Sequence, residues 1–294
     1  MSYRLVKGTF VTVGSQPDGD SVHFRPDNPD LLKNLPVGTN KKGDARISTK
    51  GESQLRMEGV DALELHFTTI ADHQEINAAR RARDVLLLTL LGFGEVQFNP
   101  NETATSSMPP AVPGYILTNG LDNFQNRRAV AFLFVGTHSR PDGANVFVKA
   151  ADVRRSANAG LLKTGEAYPL FYNTLPVSLR DALARLAVDA RSAGKGLWPA
   201  DRSLKGIRAK SKTDLQKFVF FPKLYRRLKD FFVKTGATDL SGFDAWVRAD
   251  PNRDDTVWIG PMRELGSLHN TYKATRTSIK MLQKPEDLIF VTKG

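Results

Sequence analysis

The chain has 294 residues, of which 40% are hydrophobic and 25% are charged, a composition typical of a globular protein with a substantial core. It contains no cysteine, which excludes disulfides, thiolate zinc sites and cysteine nucleophiles. The formal net charge of +11 favours polyanionic partners, either nucleic acid or an anionic membrane surface.

No segment has the pattern of a signal peptide or a membrane span. The first residues lack the apolar core of a signal peptide. The most apolar run, 85–91, is far shorter than the roughly 20 residues that a spanning helix needs. We therefore expect a cytoplasmic protein without a membrane partner, and export by a route that needs no signal peptide stays open.

Three strands are predicted in the first part of the chain. Residues 5–13, 21–24 and 54–60 are rich in Val, Thr, Phe and Leu, as strands commonly are. Two long polar stretches, 25–51 and 99–113, contain many Pro, Asn and Gly residues and predict loops. Loops of this length are either functional or flexible.

Two helices are predicted from apolar residues that recur at helical spacing, over 74–91 and 179–193. Glycines follow both, and glycine commonly ends a helix. Between the two helices, 95–98, 129–135 and 145–148 predict short strands.

A change of character after residue 199 predicts two domains, 1–201 and 202–294. The segment 203–212 is basic and resembles a linker, and 222–234 predicts a helix with proline in its first turn. The second domain is predicted to be a small, mainly helical module of unknown role. Its basic residues form either a solvated face or a phosphate-contacting surface. Four cations of the predicted helix are expected to point largely outward: Lys223, Arg226, Arg227 and Lys229.

Four features are candidates for chemistry, and each also has a purely structural explanation. Asp-Gly-Asp-Ser at 18–21 suits a turn, and the Arg-x4-Asp-x2-Glu spacing at 56–64 suits a surface network of charges. The arginine pair at 127–128 opens a strand, where arginines are commonly exposed. The segment 187–198, which ends the second helix in Gly-Leu-Trp, is most simply part of the core.

In this order, the four features together resemble the staphylococcal (micrococcal) nuclease family. That family carries an Asp-Gly-Asp-Thr turn, an Arg-x4-Asp-x2-Glu strand, an arginine before a later strand and a final helix ending in Gly-x-Trp. Asn158, Leu161 and Gly165 match a short helix and glycine of the family. The resemblance covers 6–201, roughly two thirds of the chain. It implies an α+β fold with an OB-type five-stranded β-barrel and three helices, including both helices predicted above.

The resemblance implies a Ca²⁺ site made by Asp20, Asp61 and the backbone carbonyl of Ala62. Carboxylates and carbonyls are hard oxygen ligands that suit Ca²⁺, and the cation would polarise a phosphoryl oxygen. Ala62 and Leu63 stand where the family has Thr-Pro, which puts the rigidity of this turn in doubt. A carbonyl ligand does not require a particular side chain.

The resemblance assigns catalysis to Arg56, Glu64 and Arg128. Glu64 would orient or deprotonate the attacking water, and the arginines would offer planar, permanently charged forks to phosphate oxygens. The tyrosine-glycine that precedes the second arginine in the family is missing here. Arg128 aligns with the following strand, and Arg127 is the alternative.

Base-stacking aromatics of the family follow the glycine matched by Gly165, where Tyr168, Phe171 and Tyr172 are the candidates. Stacking tolerates any base and suits a nuclease without sequence preference. The alternative is that at least one of the three belongs to the core.

The leading hypothesis is a Ca²⁺-dependent nuclease acting on DNA, RNA or both, and the resemblance implies 3′-phosphate products. The rival is a nucleic-acid-binding module of the same fold that has lost catalysis, because OB barrels often bind without cutting. A zinc enzyme is rejected, since the five histidines are scattered without ligand-like pairing.

Overall fold

A computed structural model describes residues 2–38, 41–67, 69, 71–123 and 125–292. Buried apolar side chains from both ends of the chain form one continuous hydrophobic core. Within the described ranges, no helix is long and apolar enough to cross a bilayer.

The strands of the first two thirds of the chain are mostly short, apart from two of ten residues each. In chain order they are β1 (Ser2–Val11), β2 (Ser21–Pro26), β3 (Leu35–Val37), β4 (Lys41–Gly43), β5 (Ser53–Met57), β6 (Val60–Ala62), β7 (Glu95–Phe98), β8 (Ala104–Met108), β9 (Val112–Leu121), β10 (Ala129–Val135), β11 (Asn145–Phe147), β12 (Ala167–Pro169) and β13 (Phe171–Tyr172).

Five of these strands close into a barrel. They follow the order β1-β2-β5-β10-β9, and β9 pairs back onto β1. All neighbouring pairs are antiparallel except β5 and β10, which run parallel. Gly8 lies where β1 pairs with both β2 and β9, and a Cβ atom there would lie 2.2 Å from the carbonyl oxygen of Arg25. Only glycine allows this close approach.

The helices carry the apolar stripes that the sequence predicts. They are α1 (Ile76–Asp84), continued by π-helical turns over Val85–Leu90, α2 (Ala150–Val153), α3 (Ala157–Thr164), α4 (Val177–Ser192), α5 (Lys212–Leu215), α6 (Pro222–Thr235) and α7 (Phe243–Arg248). Short 3₁₀ turns span Pro29–Leu32, Leu268–Thr271 and Pro285–Asp287. The helices predicted over 74–91, 179–193 and 222–234 are therefore present.

Two predicted loops contain strands, and both predictions were wrong. The stretch 25–51 holds the end of β2 as well as β3 and β4, and 99–113 holds β8 and the start of β9. Pro113 is tolerated in β9, where it pairs with Thr9 of β1. Proline and glycine content concealed these strands, because strand formation depends on neighbours that are distant in sequence.

The C-terminal region is mixed rather than mainly helical, which corrects the prediction. Besides α5 to α7 it contains β14 (Ile207–Arg208), β15 (Thr256–Ile259), β16 (Glu264–Ser267), β17 (Tyr272–Ala274), β18 (Ser278–Met281) and β19 (Leu288–Phe290). Strands of two to four residues are too short to give a periodic signal. β19 pairs in parallel with β13, and the ring of Phe221 packs edge-on against Tyr168, so the core continues across residue 201.

Candidate functional site

A groove with a volume of about 1320 Å³ lies between one end of the barrel and helix α6. Asp20, Arg56, Glu64 and Arg128 line it from the barrel side. Arg226 lines it from α6. Both parts of the chain therefore contribute charged side chains to one cavity.

The turn before β2 presses the carboxylate of Asp20 against the backbone of β6. Ser21 pairs with Arg56 across β2 and β5, which sets Asp20 beside the end of β5. A Cβ atom at Gly19 would lie 2.5 Å from the Ala62 side chain, so glycine permits the close approach. Asp20 Oδ2 accepts a hydrogen bond from the backbone N–H of Ala62 at 3.3 Å. Asp20 thus contacts the residue whose carbonyl is another predicted metal ligand.

Asp61 and Arg56 form the buried centre of the site. Asp61 is fully buried, and Arg56 Nη2 lies 3.4 Å from Asp61 Oδ1. The neighbouring carboxylates of Asp20 and Asp61 raise the pKa of Arg56, although burial alone would lower it. An arginine in this position stays charged and faces the groove.

Glu64 is held just beyond β6 by Gln74. The backbone N–H of Glu64 donates to Gln74 Oε1 at 3.2 Å, and the backbone N–H of Gln74 donates to the Glu64 carbonyl at 2.9 Å. Burial raises the pKa of the Glu64 carboxyl. The carboxylates of Asp61 and Asp18 also raise it, and the Arg226 guanidinium lowers it.

The carboxylates of this cluster repel one another. Burial, followed by the nearby Asp18, raises the pKa of Asp20 to about 8, and Asp61 and Glu64 contribute in the same direction. Carboxylate oxygens are hard ligands of the kind that a divalent cation such as Ca²⁺ prefers. As they are arranged, the described residues contain no group of three or more His, Asp or Glu side chains that forms a metal site.

Arg226 of α6 already provides a positive charge at these carboxylates. Its Nη2 lies 2.8 Å and 3.1 Å from the two carboxylate oxygens of Asp61, and its Nη1 donates to Glu64 Oε1. Burial would lower the pKa of Arg226, but Asp61 and Glu64 raise it strongly. No sequence motif marks Arg226, which lies 162 positions from Glu64, so its role was not predictable from the sequence.

The other three cations that were predicted to point outward are instead paired with aspartates, which corrects that prediction. Lys223 lies 3.1 Å from Asp255, and Lys229 lies 3.2 Å from Asp72. Both lysines are buried, and Lys223 also lines the groove. Arg227 is half-buried and lies 2.9 Å from Asp255.

Arg128 opens β10 and lines the same groove. The parallel pairing of Ala129 with Leu55 places Arg128 level with the beginning of β5. Asp122 holds it in place, with Oδ2 2.8 Å from Arg128 Nε and Oδ1 accepting the Arg128 N–H at 2.9 Å. Arg127 lines the groove as well, so its candidacy stays open.

Two of the three candidate stacking residues belong to the core, which corrects their assignment. Tyr168 and Phe171 are fully buried, and the Tyr168 hydroxyl donates to Asp201 at 2.7 Å. Neither ring can meet a base. Tyr172 lines the groove with its hydroxyl 3.4 Å from Lys223 Nζ. Burial would raise the pKa of Tyr172, but Lys223 and nearby arginines lower it.

Comparison with known proteins finds no family model and no curated protein that matches this chain. Function is therefore inferred from the residues of the groove and from their geometry.

Proposed function

We propose that the protein is a Ca²⁺-dependent nuclease that hydrolyses phosphodiester bonds of DNA or RNA with little sequence specificity and leaves 3′-phosphate ends. One observation carries the proposal. Asp20, Arg56, Asp61 and Glu64, which the nuclease resemblance selects, converge at one end of a closed five-stranded barrel. Such a barrel is compatible with the OB-type fold that the resemblance implies.

Asp20, Asp61 and the carbonyl of Ala62 would hold the Ca²⁺ in this proposal. The donor chemistry fits, because carboxylate and carbonyl oxygens are hard ligands and Asp20 lies against the backbone of Ala62. Bound Ca²⁺ supplies Lewis-acid polarisation of a phosphoryl oxygen. The side chains of the groove supply the remaining steps.

Glu64 would position the attacking water and accept its proton. Because burial raises the pKa of this carboxyl, it is a stronger base than an exposed glutamate. Arg56 would bind the phosphate as charge grows on its oxygens, and Arg128 would bind it from the β10 side. Tyr172 would stack on a base.

The second candidate function is a nucleic-acid-binding module without catalysis. Arg226 favours it, since its guanidinium occupies Asp61 and Glu64, as it would if these carboxylates served only the structure. The same groove and basic side chains would then bind phosphates without cutting them.

Incubating the full chain with single-stranded DNA and RNA, in Ca²⁺ or in chelator, separates the two functions. We expect cleavage in Ca²⁺ alone and its loss in Asp61→Asn and Asp20→Asn. Asp181→Asn, which removes an exposed carboxylate on α4, is the matched control and should cleave normally. Thermal unfolding checks that each variant is folded. Binding without cleavage under any metal condition would favour the rival.

A further inference from the structure

Arg226 and a divalent cation need the same carboxylate oxygens. Both oxygens of Asp61 lie within 3.1 Å of Arg226 Nη2, and Glu64 Oε1 accepts from Nη1. Asp61 is fully buried, so water cannot compensate its charge when a partner leaves. Whichever cation binds Asp61 therefore excludes the other from the same lone pairs.

Arg226 is fixed in position by the packing of α6. Gln74 Nε2 donates to the Phe220 carbonyl at 2.7 Å, and the Tyr225 hydroxyl donates to the His73 carbonyl at 3.0 Å. Lys229, three residues beyond Arg226 on α6, pairs with Asp72. These contacts join α6 to the segment that follows Glu64, and they keep the guanidinium at the carboxylates.

We propose that Arg226 is an internal counter-ion that competes with the divalent cation for Asp61, so that helix α6 sets how tightly the site binds Ca²⁺. This inference rests on the proposed function. The competition is a coupling between two cations that bind one carboxylate, and each weakens the binding of the other by the same factor. Arg226 also limits Glu64 as a base, because the Oε1 atom that accepts from Arg226 cannot take a proton from water.

Calcium binding to the full chain, measured by titration calorimetry at low ionic strength, tests the competition without reference to cleavage. Arg226→Ala and Arg226→Gln remove the competing charge and should bind Ca²⁺ at least tenfold more tightly than the wild type. Arg226→Lys keeps the charge and should stay within a few-fold of it. Glutamine preserves much of the bulk of the arginine side chain. Arg226→Gln therefore still tests the competition if Arg226→Ala does not fold.

Arg191→Ala is the matched control. Arg191 of α4 forms a similarly buried guanidinium pair with Glu286, away from the groove, so its loss disturbs packing without touching Asp61. Its Ca²⁺ affinity should stay within about twofold of the wild type. An increase in this variant equal to that in Arg226→Gln would mean general loosening and would overturn the proposal.

Equal or weaker Ca²⁺ binding by Arg226→Gln would also overturn the competition. If wild-type protein nevertheless cleaves in Ca²⁺, the proposed function survives and only the competition fails. If Arg226→Gln binds Ca²⁺ more tightly but no variant cleaves, the competition stands and the nuclease proposal fails. Absence of Ca²⁺ binding in every variant would overturn both.

Discussion

The two walls of the groove differ in charge, because the barrel wall mixes carboxylates with arginines and the helical wall formed by α6 presents cations, and different parts of the fold hold them. On the barrel wall, strand register and the turn at Gly19 force Asp20, Asp61 and Glu64 together. On the opposite wall, Arg226 and Lys223 project from a helix held by apolar packing. The barrel wall concentrates carboxylates at a cost in repulsion, and the helical wall supplies cations that offset it. Each wall therefore depends on the other to balance the charges of its side chains.

Substitution of Glu64 by Gln tests whether the barrel wall performs chemistry, and it has the largest expected effect. The amide keeps the size of the side chain but cannot accept a proton. Loss of a general base typically costs 10²–10⁴-fold in rate, so we expect turnover in Ca²⁺ to fall by roughly that factor. Oligonucleotide affinity in chelator should change little. Single-turnover cleavage and fluorescence anisotropy measure the two quantities.

Glu95→Gln, which removes an exposed carboxylate on β7, is the control for a lost negative charge. Equal loss of binding and turnover in Glu64→Gln would mean that Glu64 only holds the groove together with Arg226. The barrel wall would then have only a structural role, as the helical wall does.

Substitution of Phe221 by Ala tests whether the helical wall is part of the same fold. Phe221 is buried and packs edge-on against Tyr168 of β12 with ring centroids 5.9 Å apart. Removing a buried phenyl ring typically costs about 3–5 kcal/mol, and we expect a loss of that size in the free energy of unfolding. Val233→Ala, at an exposed position of α6, should change it by less than about 0.5 kcal/mol.

Urea unfolding followed by tryptophan fluorescence and by circular dichroism measures this loss. Because one core spans both regions, the two probes should report a single transition. Two separate transitions would indicate independent modules. Helix α6 would then belong to a separately folded unit that binds the barrel.

The barrel wall was largely predictable from sequence, and the helical wall was not. The carboxylates and arginines at 18–64 lie within one stretch of chain whose spacing resembles a known family, so local pattern was enough. Arg226 meets Asp61 across 165 positions, and its place on an amphipathic helix suggested a solvated side chain. A helix packed on two faces cannot be distinguished from a surface helix by periodicity alone. The burial of Tyr168 and Phe171 was equally hidden, because their partner Phe221 and strand β19 come from the C-terminal region.

Glu58, which lines the groove on the barrel side, should make the stability of the protein depend on pH. Burial raises the pKa of its carboxyl to about 7, although Arg56 and the N–H of Gly59 act in the opposite direction. Between its ordinary value of 4.5 and about 7, the folded chain binds more protons at this group than the unfolded chain does. Its contribution to stability is therefore present at low pH and is lost as the pH rises through this window.

Glu58→Gln should remove this slope and stabilise the protein above pH 7 by up to about 3 kcal/mol. Urea unfolding at a series of pH values measures the difference from the wild type. A variant that is destabilised equally at every pH would show that the Glu58 carboxylate is compensated in the fold and that its burial does not penalise the charged form.

Tyr172 lies where the two walls meet, and its substitution has the smallest expected effect. Stacking of one base on an aromatic ring contributes roughly 1–3 kcal/mol, so Tyr172→Ala should weaken oligonucleotide binding by about that amount. Tyr172→Phe keeps the ring and loses only the contact between the hydroxyl and Lys223, so it should bind nearly as well as the wild type. Tyr115→Ala, which removes a half-buried ring stacked on Phe134 outside the groove, is the control.

Anisotropy of labelled single strands in chelator measures these affinities without cleavage. If Tyr172→Phe binds as poorly as Tyr172→Ala, the ring is not a stacking platform and the hydroxyl with Lys223 is what binds the strand. The groove would then hold nucleic acid through the charges of its helical wall, because Tyr172 would not contribute stacking.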